Sequence, residues 1–454
     1  MPSHRDVEPG IAPSVAASAV DLVGYFRAAA KPRERWLIGL EQEKIGVLSD
    51  GRPVPYDDPG GPSISRILEG LTARGFTANL EDGHIIALER GQERITIEPG
   101  GQLELSGAAL GNASACRDAL LAHVAEVSAV ASPLGIRFIG CGARPFGRID
   151  DIPWLPKRRY AVMRTYLPTR GRLAHEMMKR TATVQANFDF SDEQNATDKI
   201  RTAMGVTSIV TALYAASPLT DGKPNGYKSQ RAAIWLETDE DRCGLLPFVF
   251  KPDFGFRDYA EWALDVPMFF LVRDGVYRPP RDRLTFRRFL KEGFEGETAT
   301  QADWELHLST VFPEVRLKRT IEVRGADATG LPFACALGAL WRGLLDDADA
   351  CAEAWRLVAE RSMAEREVLR REVPRLGLRT RFGAHALKEL AVELCRISAA
   401  GLARVPGGPD DARLLEPLLA YATAGRSPAD DLLDDFNATG GDPAKLVDRW
   451  ELRA

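Results

Sequence analysis

Four separated segments of this chain alternate apolar and polar residues, and in each the polar side is rich in acids and amides. On a strand, successive side chains point to opposite faces, so residues two apart share a face. In residues 95–106, ITIEPGGQLELS, Ile95 with Ile97 and Leu103 with Leu105 mark two short strands hinged at Pro99-Gly100-Gly101. The opposite side carries Glu98 and Glu104, without a lysine or arginine in the stretch. In GLEQEKIGV, Glu41 and Glu43 point the same way, about 6–7 Å apart at strand rise. In TVQANFDF, Val184, Ala186, Phe188 and Phe190 oppose Gln185, Asn187 and Asp189. In LKRTIEVRG, read as one strand, Leu317, Ile321 and Val323 face the core, with Arg319 the exception on that side. Lys318, Thr320, Glu322 and Arg324 face the other way.

For any one strand a solvated face explains a glutamate. If all four lie in one sheet, its polar face gathers Glu41, Glu43, Glu98, Glu104 and Glu322. Unit charges ~4 Å apart interact by ~4 kcal/mol at an effective dielectric of ~20, so that face repels itself unless it is compensated. Hard oxygen donors select Mg²⁺ or Mn²⁺ over zinc, and Mg²⁺ sites are usually completed by phosphates and water. Basic residues accompany the acids. Arg316, Lys318 and Arg324 fall on the glutamate side, Lys228 and Arg231 follow a Gly/Pro loop, and KRRYAVMR (157–164) forms a third patch. Such cations suit a polyphosphate or a carboxylate that arginine grips bidentately. GxxxxGK[ST], GxGxxG and GxSxG are absent, and AHEMMK breaks HExxH by placing Lys179 where the second histidine belongs, so His175 and His307 read as structural or as supports behind the site's ligands. What remains is phosphoryl transfer by charge neutralisation and positioning.

The organisation fits an α+β class. Strands are expected at 36–48, 84–90, 94–98, 102–106, 136–142, 181–190 and 318–325. Helices are expected at 14–29, 63–74, 112–131, 193–216, 331–345, 347–372 and 382–403. Irregular interspersion of this kind differs from a regular βαβ succession. Residues 1–13 read as a loose arm, 14–403 as the catalytic domain, and 404–454, beginning RVPGGPD, as a helical tail packed on it. The net charge of −5 gives no reason to expect nucleic acid, and no apolar run is long enough to span a membrane. Six scattered cysteines without CxxC, and an amino terminus without a signal pattern, lead to a cytoplasmic expectation.

ITIEPGGQLELSGAAL, MMKRTATVQANFDFS, SPLTDGKPNGYKSQRAAIW, DVPMFF and HLSTVFPEVRLKRTIEVRGAD, in this order, closely resemble the glutamate–cysteine ligase family of plant and proteobacterial type. The resemblance covers roughly residues 36–345, and more weakly extends to about 440. It implies a glutamine-synthetase-like fold, a curved antiparallel sheet whose concave polar face is the active site. It also implies an activity: ATP, L-glutamate and L-cysteine give γ-glutamylcysteine, the first step of glutathione synthesis. Carried over motif by motif, Glu41, Glu43, Glu98, Glu104, Gln185 and Glu322 are implied ligands for two or three Mg²⁺ ions. Arg324 is implied to meet the transferring phosphoryl group, with Glu43 and Lys318 beside the chemistry. Arg231 and Asn187 are assigned to the glutamate substrate, and Lys318 and Arg316 to nucleotide phosphate. Cys116 and Cys335 match positions that form a regulatory disulfide in some plant members. The stretch RPPRDRLTFRRFLKEGFEGETAT, which spans a second plant disulfide, has no cysteine. With no plastid transit segment in view, a bacterial, cytoplasmic enzyme, monomer or homodimer, is expected. Three other readings stay open: a ligase using glutamate with another amine, a binding protein that keeps the site without turnover, and a small-molecule kinase of the same superfamily.

Overall fold

The structure is a computed structural model and describes residues 20–454. The arm expected at 1–13 lies outside the described residues. So does the start of the helix expected from residue 14, of which Gly24–Arg27 is helical. Nine strands form the main sheet: β1 (Ile38–Leu48), β2 (Thr77–Glu81), β3 (His84–Arg90), β4 (Glu93–Ile97), β5 (Leu103–Ser106), β6 (Ile136–Ile139), β7 (Val184–Phe188), β8 (Val315–Leu317) and β9 (Ile321–Val323). They run β8–β9–β7–β1–β5–β4–β3–β2 in an open, antiparallel sheet, with β6 beside the distal half of β1.

β1 organises the rest because its eleven residues serve three partners. Ile38–Gln42 pair with β7, Glu41–Lys44 with β5, and Ile45–Leu48 with β6. The register sets polar residues in rows across the sheet. Gln185 faces Glu41, which faces Ser106, and Glu43 faces Glu104, which faces Thr96. A further row places Arg316 opposite Glu322 and Glu322 opposite Asn187. On the reverse side Ile38, Leu40, Leu105, Ala186, Phe188, Ile321 and Val323 are buried. Helices α2 (Ala113–Ala131), α5 (Glu193–Leu213) and α7 (Leu331–Leu345) cover that side, and α1 (Ile64–Thr72) packs on β3. Each of α2 and α5 begins at a side-chain cap, Asn112 to the Ala115 amide and Asp192 to the Asn195 amide, which satisfies an otherwise orphaned donor.

Beyond Glu43 the acid face turns apolar. Ile45 and Val47 join Ile139, Phe146 and the carboxyl-terminal residues Leu446, Val447 and Trp450 in a separate core cluster. The helix Pro443–Trp450 therefore closes the distal end of the same face, with Trp450 stacked on Phe146 at 6.0 Å between ring centroids. Asp411 ties the preceding segment down by accepting from the Ala113 amide at 2.9 Å and the Arg342 guanidinium at 2.6 Å.

Three expectations are corrected. The segment 318–325 is not one strand: Lys318–Thr320 is the turn of the β8–β9 hairpin, which explains why Arg319 broke the pattern and why it is exposed. The helix expected at 347–372 is two, α8 (Ala348–Arg356) and α9 (Met363–Leu376), because Ser362 and Glu365 form a reciprocal capping box that starts a new helix. All six cysteines are free thiols, so the Cys116–Cys335 disulfide is not formed in this structure. Burial pushes the Cys116 thiol up to about 12 and the Cys335 thiol up to about 11, and Cys116 Sγ lies 3.6 Å from the Ile38 carbonyl oxygen. No helix of the described residues is long and apolar enough to cross a membrane.

His307 is buried against Phe286, with Nε2 2.7 Å from the Ala263 carbonyl oxygen. Burial lowers its pKa to about 4. The folded state thus favours neutral imidazole, and this contribution is complete above the unfolded pKa of 6.5 and is lost as pH falls from 6.5 through about 4. At ~1.4 kcal/mol per pKa unit the total is about 3 kcal/mol. Urea denaturation at pH ~7 and ~4.5 should show the wild type losing about 2–3 kcal/mol more stability than His307→Gln; equal losses would refute this.

Candidate active site

A solvent-open cleft of about 1040 Å³ lies over the polar face of the sheet. Glu41, Glu43, Glu104 and Gln185 enter it from the strands, and Glu98 from the turn between β4 and β5. Its opposite walls are α3 (Arg158–Tyr166), α4 (Ala174–Arg180) and α6 (Gln230–Trp235), which contribute Tyr160, Met178, Arg231 and Trp235. Arg324, just past β9, completes the rim. Of the five acids predicted on the polar face, Glu41, Glu43, Glu98 and Glu104 line this cleft, whereas Glu322 is buried beside it under Arg316 and Arg324. His175 and His307 do not line the cleft.

Each acid is held by its own protein donor. Glu41 accepts from the Asn187 amide at 2.8 Å, Glu43 from the Thr183 backbone N–H at 3.0 Å, Glu98 from Tyr160 at 3.2 Å, and Glu104 from Thr96 at 2.6 Å. Among the described residues, no three His, Cys, Asp or Glu side chains are gathered closely enough to cage a metal ion. The donor set nevertheless fits a hard cation. Burial, then the neighbouring charges of Glu98 and Glu104, push the Glu43 carboxyl well above the ordinary carboxylate range. Like charges directly opposite on paired strands are destabilising, and a divalent cation would relieve them.

The turn carrying Glu98 is clamped. Gly101 has φ +82°, a left-handed conformation suited to glycine, and its N–H donates to the Glu98 carbonyl at 2.8 Å. A side chain at Gly100 would put its Cβ 2.1 Å from the Lys179 carbonyl oxygen. Gln102 accepts from the Gly100 N–H at 3.0 Å and donates to the Thr181 carbonyl at 2.7 Å. Beneath them the buried Arg144 donates to the carbonyls of Gly46 and Gly100 at 2.9 and 3.2 Å, and burial lowers its pKa to about 9. These contacts tie the turn to β1 and to the segment leading into β7.

The basic residues divide sharply. Arg316, expected at nucleotide phosphate, is spent: its N–H groups reach both Glu322 oxygens and the carbonyls of Ser309 and Val311. A guanidinium has five N–H donors, and these contacts engage them, so Arg316, which also lines the cleft, is the counter-ion of Glu322 in this structure. Arg324 pairs with the same carboxylate and donates to Gln185 at 3.0 Å. Glu322 is consequently the least available of the expected metal ligands. Lys318 sits in the β8–β9 turn, 3.8 Å from Glu322, and is not among the residues lining the cleft. Asn187, expected at substrate, is instead buried between Glu41 and Thr320, which donates to it at 3.1 Å. Arg231 is the opposite case. It is 4% exposed, its guanidinium makes one hydrogen bond among the described residues, to the Arg324 carbonyl at 3.0 Å, and burial lowers its pKa. It lines both the cleft and an adjoining pocket of about 540 Å³ that also holds Glu314, Arg370 and Cys243.

Sequence reading missed several lining residues. Arg94 stands one position before the acid-only stretch and points into the cleft, and Tyr160 lies inside a patch read only for its charge. On the reverse face Lys44, the polar interruption of β1, lies 3.1 Å from His123 Nε2. Burial lowers the Lys44 pKa to about 7 against the pull of Glu104, Glu43 and Glu93.

With this geometry in place, comparison with known proteins is decisive. The profile of glutamate–cysteine ligase family 2 matches residues 37–448. The chain belongs to this family. It is 43% identical to the chloroplastic glutamate–cysteine ligase of Brassica juncea over 426 residues, covering 93% of this chain and 81% of that protein. It is 42% identical to the Arabidopsis thaliana enzyme, with 93% and 80% covered, and 42% identical to ligase B of Oryza sativa subsp. japonica, with 91% and 83% covered. A crystal structure of the Francisella tularensis ligase in complex with AMP superposes with a TM-score of 0.58 at 13% identity, covering 91% of this chain and 87% of that one. That likeness supports the glutamine-synthetase-like fold. The cytoplasmic placement expected from the sequence is overturned, since these relatives are chloroplastic enzymes. Unpaired thiols fit any reducing compartment, and the amino-terminal residues on which that expectation leaned lie outside the described residues.

Replacing Glu43 by glutamine keeps an acceptor for the Thr183 N–H and removes a repelled charge. Without divalent cations, Glu43→Gln should be more stable than the wild type by about 1 kcal/mol while losing catalytic capacity, a familiar stability–function trade-off. Thermal unfolding in a chelating buffer checks this; a lower melting temperature for the variant would refute it.

Proposed function

We propose that this chain joins the γ-carboxylate of L-glutamate to the amine of L-cysteine, converting ATP to ADP and phosphate and giving γ-glutamylcysteine. The observation that carries this reading is the juxtaposition of a mutually repelling carboxylate cluster with Arg231, a buried guanidinium whose donors are largely unclaimed. The first feature suits the cations of a nucleotide triphosphate, the second an amino-acid carboxylate. Membership of the family and the similarity to named ligases support the substrates. The AMP complex of the Francisella relative supports nucleotide use.

A carboxylate is a poor electrophile. Transfer of the γ-phosphoryl group of ATP to the glutamate side chain gives an acyl phosphate, which the cysteine amine attacks with loss of phosphate. Arg324, poised between Glu322 and Gln185, would meet the charge on the phosphoryl oxygens, and Arg231 would hold the α-carboxylate of glutamate. Glu41, Glu43, Glu98, Glu104 and Gln185 would hold magnesium, joined by Glu322 when Arg324 turns to its ligand. Magnesium would supply neutralisation of the polyphosphate charge.

Phosphate release from ATP with Mg²⁺ and glutamate, measured with and without cysteine and with products identified by mass, tests the reading. Cysteine-dependent release matched by γ-glutamylcysteine is expected. Release driven by another amine but not by cysteine would move the assignment to a different acceptor, and none with any amine would refute catalysis. Arg324→Met should lower kcat by about 10²–10³, as for loss of a donor aimed at developing charge.

A further inference from the structure

Asp327 lies three residues beyond Arg324, fully buried, and no part of the chemistry above uses it. It stands at a junction of three segments that carry the site. Its backbone bridges to Thr183, whose hydroxyl donates to the Ala326 carbonyl at 2.7 Å, and the Ala328 N–H donates to the Ala182 carbonyl at 3.0 Å. That strand leads directly to Gln185. One carboxylate oxygen accepts from the Ala216 N–H at 2.9 Å and the Ser217 hydroxyl at 2.7 Å. The other accepts from the Ser229 hydroxyl at 2.8 Å. These two serines are the mounting of α6. Ser229 caps it by accepting from the Ala232 N–H at 3.0 Å, and Ser217 Oγ accepts from the Arg231 N–H at 3.1 Å. Room for the acid comes from Gly142, where a Cβ would fall 2.2 Å from the Asp327 Cγ.

Asp327 also faces Arg231 electrostatically. It is the first of the acids whose charge favours the Arg231 cation, ahead of Glu43, yet the two side chains form no hydrogen-bonded pair. A buried cation needs a counter-charge, and one that bonded it directly would consume the donors a ligand requires, as Glu322 does to Arg316. We propose that Asp327 is the positioning residue of the amino-acid pocket: through Ser217 and Ser229 it sets the start of α6, and it balances the Arg231 charge from a distance so that the guanidinium stays open to a substrate carboxylate. The inference rests on the assignment of Arg231 to glutamate made above.

The test compares full-length wild type with Asp327→Asn, Arg231→Gln and the double variant. KM for glutamate and for ATP is measured separately, and glutamate-induced thermal shifts are recorded alongside. Asp327→Asn keeps the shape and part of the hydrogen bonding but removes the charge. It should raise the glutamate KM about tenfold, leave the ATP KM within about twofold, and weaken the glutamate-induced shift, while the double variant is no worse for glutamate than Arg231→Gln alone. Should Asp327→Asn fail to fold, Ser229→Ala carries the test, with a glutamate KM raised about threefold. If Arg231→Gln raises the glutamate KM and the Asp327 or Ser229 variant does not, the inference is overturned while the Arg231 assignment stands. A parallel rise of both KM values, or additive effects in the double variant, also overturns it, because Asp327 would then act through the fold at large. If Arg231→Gln leaves the glutamate KM unchanged, the Arg231 assignment fails and the inference falls with it.

Discussion

Glu43 and Glu104 oppose each other across β1 and β5, with Glu98 close enough to raise the Glu43 carboxyl further. Antiparallel pairing forces this contact: once Glu41 and Glu43 share a face and Leu103 and Leu105 share the other, register brings the acids together. Each carboxylate is engaged separately by the surrounding structure. Thr183, Thr96, Tyr160 and Asn187 each draw one carboxylate towards a neutral donor. A neutral intramolecular hydrogen bond contributes about 1 kcal/mol net, whereas a charge pair in such a site is worth several. A divalent cation can therefore outcompete those donors and gather the acids.

Bases stand on both sides of the acids. Arg94 on β4, with Lys157 and Arg159, lines the cleft beside Glu98 and Glu104, while at the β8–β9 end Arg316 and Arg324 take Glu322 and Arg231 lines a second pocket. Acids flanked by bases in this way suit an anionic substrate gripped by arginine.

Much of this was legible in the alternation of the strands, because parity is a local property. Ile38–Leu48, His84–Arg90 and Ala113–Ala131 fall close to their expected bounds, and the acid face was identifiable from four short stretches. Illegible features depend on what arrives from elsewhere. β2 is a half-exposed edge strand with little hydrophobic contrast, and α3, α4 and α6 are short and owe their position to tertiary contacts. The split between α8 and α9 was written in the sequence as Ser362-x-x-Glu365, a capping signal hidden inside helical periodicity. The turn in LKRTIEVRG had its own marker, the misplaced Arg319.

Roles of individual side chains were harder still, and the two buried arginines show why. In sequence Arg231 and Arg316 are alike: each is a basic residue in a motif adjoining the acids. What separates them is a count of donors against acceptors. Arg316 meets a carboxylate directly across the hairpin and two carbonyls from the preceding loop, so no N–H is left for a ligand. Arg231 stands on a helix whose neighbours offer it one carbonyl and a carboxylate held off by three other donors. A buried cation left in that state is costly unless something else completes it. On the function proposed above, folding supplies the distant charge and a substrate carboxylate would supply the contact, so that stability and recognition at Arg231 would be two parts of one electrostatic balance.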